Sequence, residues 1–423
     1  MKHPVIGFAG MTHLGLVSGV AAAEKGFHVV CFDPDAARIA ALGRRELPVS
    51  EPRLDQLVAK NAERLRFTSV PADLQVCDVI YVAPDVPTDE LGKSDLEPLN
   101  DLLERVFGAA RADAAIVILS QVPPGFTRGK QRPGRVPYYQ VETLIFGRAV
   151  ERALQPERYI VGCADPLRPL PAPYTAFLEA HGCPILPMRY ESAELAKISI
   201  NMCLVASVST ANTLAELCER TGADWSEIVP ALKLDKRIGL HAYLAPGLGI
   251  AGGNLERDLA TICRFADELG TDAGVVRAWI ANSLHRRDWA LRLLHQEVLS
   301  RTEDPVIAVL GLAYKQDTHS IKNSPSIALL SALTSYQVRV FDPVVPASAA
   351  PNPRCVGAKS ALEACEGAEA LAVMTPRAQF AKLDPRDIAG RLRGKVMFDP
   401  YRVLRDADCR AAGLAYHTLG VRT

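Results

Sequence analysis

Residues Val5–Asp33 read VIGFAGMTHLGLVSGVAAAEKGFHVVCFD. Val5–Gly10 is a short apolar run, and Gly10-Met-Thr-His-Leu-Gly15 is a turn bounded by glycines. An alanine-rich helical stretch follows over Leu16–Lys25, then a second strand-like run, His28–Phe32, that ends in Asp33. Strand, tight turn, helix and strand in so short a span make a βαβ unit, hence a parallel sheet covered by helices. In a dinucleotide fingerprint the first glycine makes the turn and the last lets helix and strand pack. The middle glycine admits the backbone to the diphosphate at the helix N-terminus. Here Thr12 holds the middle position, where a side chain costs close approach while its hydroxyl offers a donor to a phosphate. Asp33 follows at roughly the 20-residue spacing of a ribose acceptor, and its carboxylate suits NAD and repels the 2′-phosphate of NADP. Gly10, Thr12, His13, Leu14, Gly15 and Asp33 are thus cofactor candidates, set against a plain strand–helix bend.

Working outward, the strand-like runs Val79–Val82, Ala115–Leu119 and Tyr159–Val161 alternate with amphipathic helical stretches. Between Glu191 and Leu299 the strand signal disappears. It returns at Val306–Leu310 and continues through Val338–Phe341, Ala370–Val373 and Lys395–Phe398. The expected fold is α/β, with two Rossmann-like doubly wound domains joined by a central helical dimerisation region. The boundaries are residues 1–188, 189–302 and 303–423. A length of 423 residues fits several domains better than one core.

Lys+Arg and Asp+Glu balance at 48 each, so bulk charge argues for neither nucleic acid nor an anionic membrane. No apolar run of about 20 residues is expected, hence no membrane span. The ten cysteines are scattered without C-x-x-C spacing. This points to no metal site and to a reducing, cytoplasmic setting. The basic stretch Arg128–Arg135 lacks aromatic interleaving and reads as a solvated loop.

In the helical middle, Glu194, Lys197 and Asn201 are spaced three and four apart, which places them on one helical face. From spacing alone a surface ion pair between Glu194 and Lys197 is favoured. The rival reading makes Lys197 and Asn201 an oxyanion- or water-holding pair. Further on, Pro246–Asp258 reads PGLGIAGGNLERD. Glycine that dense brings the backbone close to something, yet its centre is Asn254, neither nucleophile nor base.

YESAELAKISINMCLVASVSTAN, LKLDKRIG, PGLGIAGGNLERD and VLGLAYKQDTHSIKNSPSIALL occur in that order behind the Gly10–Gly15 turn. Together with SQVPPG at Ser120–Gly125, QVETL at Gln140–Leu144 and FDPYR at Phe398–Arg402, the series resembles the UDP-glucose/GDP-mannose dehydrogenase family over nearly the whole chain. The resemblance implies a cytosolic homodimer that oxidises the sugar C6 alcohol of a nucleotide sugar with NAD, at an active site between two α/β domains. It implies catalytic roles for Lys197, Asn201, Glu142 and Asp258, and cofactor contacts for Gln121 and Lys322. Substrate contacts fall on Glu142, Lys197, Tyr243, Gly247, Gly249, Gly252 and Lys315, with Arg237 reaching the sugar from a neighbouring subunit.

Aligning the family's GFGGSCFxKD loop on Arg257-Asp258 sets Asn254 at the position of the catalytic cysteine. That thiolate captures the aldehyde in the second oxidation, which an amide cannot do. Gln121, Phe146, Arg257, Lys322 and His319-Ser320 also depart from the family pattern, as does Thr12. The expectation is an NAD-dependent oxidoreductase on a nucleotide sugar, most simply a UDP-sugar. It would work without a cysteine thioester, stopping at aldehyde or ketone or epimerising through a transient oxidation. A 6-dehydrogenase giving the uronic acid through a hydrated aldehyde, and a catalytically silent sugar-binding homologue, are the alternatives.

Overall fold

The computed structural model describes residues 3–89 and 93–422. The chain divides into two units, the first ending at Ile200 and the second beginning at Asn201.

In the first unit the strands are β1 (Ile6–Ala9), β2 (Val29–Phe32), β3 (Leu65–Thr68), β4 (Val79–Val82), β5 (Ala115–Ile118), β6 (Tyr138–Gln140), β7 (Tyr159–Cys163) and β8 (Ile185–Arg189). They form one sheet in the order β3-β2-β1-β4-β5-β6-β7-β8. The β6–β7 pair is antiparallel and the rest are parallel. β1, β2, β4 and β5 are buried at every position, which is why they read as unbroken apolar runs. The strand order reverses between β1 and β4, and a doubly wound sheet opens its ligand crevice at such a point. The helix His13–Glu24 is buried on nearly every side. Its small residues fit that crowding: a Cβ on Gly19 would meet Cys31 Sγ at 3.3 Å.

In the second unit the strands are β9 (Val306–Leu310), β10 (Gln337–Phe341), β11 (Cys355–Gly357), β12 (Ala370–Val373), β13 (Val396–Phe398) and β14 (Ala415–His417). They form a parallel sheet in the order β11-β10-β9-β12-β13-β14. The two sheets share the arrangement 3-2-1-4-5-6 and also a fixture at the first turn. Gly10 and Gly311 follow β1 and β9 with φ of 96° and 89°. Asp33 and Asp342 follow β2 and β10. Met11 N–H donates to Asp33 Oδ2 at 2.7 Å and Leu312 N–H to Asp342 Oδ2 at 2.7 Å. Each is also paired with an arginine: Asp33 accepts further from Asp35 N–H and Arg38 Nη1, and Asp342 from Val344 N–H, Val345 N–H and Arg377 Nη2.

As expected, no strand lies between β8 and β9 among the described residues. That region holds the helices Tyr190–Thr221, Trp225–Leu234, Asn254–Leu269, Gly274–Arg287 and Trp289–Leu294. The first of these has 32 residues and is long and apolar enough, by length and composition, to cross a membrane. This corrects the expectation that no apolar run approaches that length. A core helix passes the same test, and here Ala193, Val205, Ala211 and Ala215 are fully buried in the protein. The Arg128–Arg135 stretch is largely exposed, as expected of a solvated loop, and its charges are tied to neighbours at the surface. Arg128 pairs with Glu191, Arg132 with Glu104, and Arg135 donates to the carbonyls of Ala110 and Arg111.

Candidate functional site

Every cofactor candidate of the first motif gathers at the carboxyl ends of β1 and β2. A Cβ on Gly10 would stand 2.7 Å from Pro84 N, and one on Gly15 would stand 2.0 Å from Gly10 O. Neither position tolerates a side chain, so both glycines are fixed by packing as the fingerprint requires. Leu14 is buried against the core of the sheet. Asp33 is 2% exposed; besides Met11 N–H it accepts from Arg38 Nη1 at 2.8 Å and Asp35 N–H at 2.9 Å. The His13 ring bonds Glu51 Oε1 through Nε2 at 2.8 Å and stacks on Phe146, with ring centroids 4.2 Å apart. Glu51 in turn accepts from the N–H groups of Gly147 and Ala149. At the ribose end, then, Asp33 stands where the fingerprint puts its acceptor, already paired with Arg38. At the diphosphate end Thr12 and His13 already have partners, because Asp85 N–H donates to Thr12 Oγ1 and His13 N–H to Asp85 Oδ2.

The long helix does not carry its polar residues as spacing alone suggested. Glu194 is fully buried and accepts from Gly125 N–H at 2.6 Å and Thr127 N–H at 2.8 Å. Burial pushes its carboxyl above the usual range, and these hydrogen bonds draw it partly back. The surface ion pair of Glu194 with Lys197 is therefore absent. Lys197 instead pairs with Glu142, its Nζ 3.1 Å from Oε2 and donating to the Glu142 carbonyl at 2.9 Å. Gln121 lies half-buried in the loop after β5, the loop that Glu194 anchors a few residues further on.

In the second unit Asn201 Nδ2 donates to Asp258 Oδ2 at 2.5 Å, while Arg257 Nε reaches Asp258 Oδ1 at 3.2 Å. All three side chains are buried. The glycines of the loop have distinct tasks. Gly249, at φ 75°, lies so close to Ser283 that a Cβ would be 2.3 Å from its carbonyl oxygen. Gly252, at φ 86°, faces the Tyr314 ring, which a Cβ would meet at 2.9 Å. Gly247 N–H donates to Asn212 Oδ1 at 2.8 Å. The loop is braced by the 314–323 segment: Gly252 N–H donates to Lys322 O, and Asn323 Nδ2 to Gly252 O. The Lys322 side chain runs past Gly253, whose added Cβ would lie 3.8 Å from Nζ. Lys315 Nζ lies over the Tyr314 ring at 5.6 Å. Asn254 opens the helix Asn254–Leu269 and is exposed. Arg237 and Tyr243 are not drawn into this cluster. Arg237 pairs with Asp235 with its side chain 88% exposed, and Tyr243 is 51% exposed.

Sequence reading missed four contributors. Asp85, Glu51 and the anchoring role of Glu194 depend on partners at least 38 residues away, a distance no local pattern encodes. Glu256, two residues past Asn254, is half-buried, and burial pushes its carboxyl up to about 7 against the pull of Lys322 and Arg287. A carboxylate in the first turn of the helix that follows the glycine-rich loop was the available signal. Among the described residues no cluster of potential metal ligands occurs.

Comparison with known proteins gives a consistent result. Models of the UDP-glucose/GDP-mannose dehydrogenase family match in three parts: the NAD binding domain over residues 4–168, the central domain over 191–283 and the UDP binding domain over 308–406. A UDP-glucose 6-dehydrogenase of Pseudomonas aeruginosa is 31% identical, with 97% of this chain and 96% of that protein covered. One from Rickettsia typhi is 29% identical over 98% of this chain and 99% of its own. Among solved structures, a UDP-glucose dehydrogenase from Pyrobaculum islandicum superposes with a TM-score of 0.85 at 25% identity, covering 99% of this chain and 98% of that one.

Proposed function

The chain belongs to the UDP-glucose/GDP-mannose dehydrogenase family, and on that footing we propose that it oxidises an alcohol of a UDP-sugar to an aldehyde or ketone without a cysteine thioester, either releasing that product or epimerising through it. Bound NAD would supply the hydride acceptor, held by the Gly10–Gly15 turn, Asp33, Gln121 and Lys322. Lys197, oriented by both the carboxylate and the carbonyl of Glu142, stabilises the oxygen as its charge develops. Asp258, fixed by Asn201 and Arg257, takes the hydroxyl proton as hydride leaves the carbon. Epimerisation needs the same groups, with proton and hydride returned to the other face.

The observation that carries this reading is Asn254. An exposed carboxamide opens the helix behind the glycine loop, at the position where the resemblance calls for a thiol. Cys263, further along that helix, is half-buried against the cluster of Val205, Ile250, Leu259 and Val276. Cys203 is exposed on the long helix, two residues past Asn201 and so turned to another face. A carboxamide hydrogen-bonds a carbonyl or gem-diol but forms no acyl-enzyme.

The test is a screen of UDP-sugars with NAD, read by NADH absorbance and product mass, alongside intact-protein mass during turnover. One NADH per sugar, or an epimer with none, supports the proposal. Two NADH and a uronic acid without any adduct would replace it with the gem-diol 6-dehydrogenase, which shares with the named relatives the overall 6-dehydrogenase activity in their names. A thioester trapped on any cysteine would refute it. We further propose a homodimer through the helical middle, supported by the exposed apolar side chains Leu214, Leu217, Leu234 and Leu240. Light scattering should give twice the chain mass, and a fully active monomer would sink the idea.

A further inference from the structure

The first helix begins where a dinucleotide's diphosphate is expected, and that end already holds an anion of the protein's own. His13, the first helical residue, donates its N–H to Asp85 Oδ2 at 2.9 Å. Asp85 N–H donates back to Thr12 Oγ1 at 2.8 Å. Thr12 is the N-cap residue, yet its side chain makes no capping bond within its own helix. Its hydroxyl goes instead to the backbone of the loop after β4. The exchange is a capping box divided between two segments 73 residues apart. Packing brings the loop there: Pro84 lies directly on Gly10, and Ser120 Oγ holds the Pro84 carbonyl from behind at 2.5 Å.

The electrostatic consequence concerns the cofactor. A helix N-terminus favours a carboxylate for the same reason that it favours a phosphate: oriented N–H groups and a partial positive charge. Both anions cannot use it together. Met11 N–H is likewise committed, to Asp33 Oδ2. Two backbone donors of the turn are thus satisfied by carboxylates before any diphosphate arrives, and Asp85 is the exposed, displaceable one of the two.

We propose that Asp85 is a built-in competitor of the NAD diphosphate, tethered over the helix N-terminus by the Thr12 hydroxyl and displaced when NAD binds. Thr12 then acts by holding Asp85 in place, beyond any bulk it presents to the cofactor. The inference rests on residues 4–168 being the NAD-binding domain.

The test is equilibrium binding by calorimetry of NAD, ADP and adenosine to the full-length wild type, Asp85→Asn, Thr12→Gly and the double variant. Asparagine keeps an acceptor for His13 N–H and removes the charge, so the cap and the fold persist. NAD and ADP should bind Asp85→Asn roughly tenfold more tightly, close to the scale of one like-charge contact screened by solvent. Adenosine, lacking phosphate, should bind within twofold of wild type. Added salt should narrow the gap between the two proteins for NAD. Thr12→Gly should also tighten NAD binding, and the double variant should gain less than the product of the single gains. The proposal fails if Asp85→Asn leaves NAD affinity within twofold, weakens it, or improves adenosine as much as ADP. Absence of NAD binding to both wild type and Asp85→Asn would overturn the proposal together with the cofactor assignment. Binding of adenosine but not ADP to Asp85→Asn would overturn the proposal alone.

Discussion

Removing the Glu194 carboxylate should release the loop that carries Gln121. Glu194 is fully buried and accepts from the N–H groups of Gly125 and Thr127 at 2.6 and 2.8 Å. Hydrogen bonds to a charged group contribute about 1.5–3 kcal/mol each. They share one side chain, and burying the carboxylate opposes them, as the upward displacement of its pKa shows. A net loss of about 2–4 kcal/mol follows for Glu194→Ala, felt as local opening of the loop. At about 1.4 kcal/mol per factor of ten, the amides of Gly125 and Thr127 should exchange roughly 30- to 1000-fold faster. Glu194→Gln is the sharper variant. It preserves volume but turns an NH2 group toward one of the two donors, so it should approach the alanine effect. The assay is hydrogen–deuterium exchange resolved over 121–131, with β1 and β4 as unaffected references. Exchange within threefold of wild type in both variants would show that the loop is held by something else.

Other predictions are more local. Glu256 has a folded pKa of about 7 against 4.5 when unperturbed. The folded state therefore binds more protons between those values, and stability should fall as pH rises from 4.5 to about 7, then level off; Glu256→Gln should flatten this slope in thermal melts. Gly15→Ala places a Cβ 2.0 Å from Gly10 O and should destabilise the first unit by roughly 3–5 kcal/mol, lowering its melting temperature by about 10 °C. Unchanged melting would mean that helix and strand are not in close contact. On the proposed reading, Asn254→Cys should not create efficient four-electron oxidation, because Gln121 and Phe146 would still differ from the pattern that the resemblance implies. A variant that makes two NADH per sugar at a rate matching the first oxidation would contradict that.

How much was legible depended on whether the cause was local. β1, β2, β4, β5, β9 and β12 are buried strands of unbroken apolar residues and could be read directly. β3, β8, β11 and β14 escaped notice because edge strands leave much of their length in water, as in β8, where Leu186 is 41% exposed, and β6 because it has only three residues. Gly10 and Gly15 were legible because a positive φ at the first and close packing at both exclude a side chain, and Asp33 because it follows the second strand at the spacing of the fingerprint. The pairing Glu142–Lys197 was beyond spacing rules, and spacing gave Lys197 the wrong partner. Asp85 was invisible for the same reason: its meaning lies in residues 72 and 73 positions earlier.

The repeated aspartate fixture has a consequence for traffic between the two ligands. NAD and a UDP-sugar both carry a ribose on a diphosphate, and the two units offer them nearly the same strand–turn–helix frame. In the second unit Arg377 plugs the acceptor, with both side chains nearly sealed from solvent. Asp33 in the first unit is arginine-paired as well, but its partner Arg38 is 36% exposed and can swing aside, whereas Arg377 is 6% exposed and held in place. A nucleotide that needs the carboxylate for its ribose therefore gains it more readily in the first unit than in the second. Product inhibition should inherit this separation. NADH should compete with NAD and leave the UDP-sugar unhindered, and UDP should do the reverse, so each ligand can rise in concentration without jamming the other's seat.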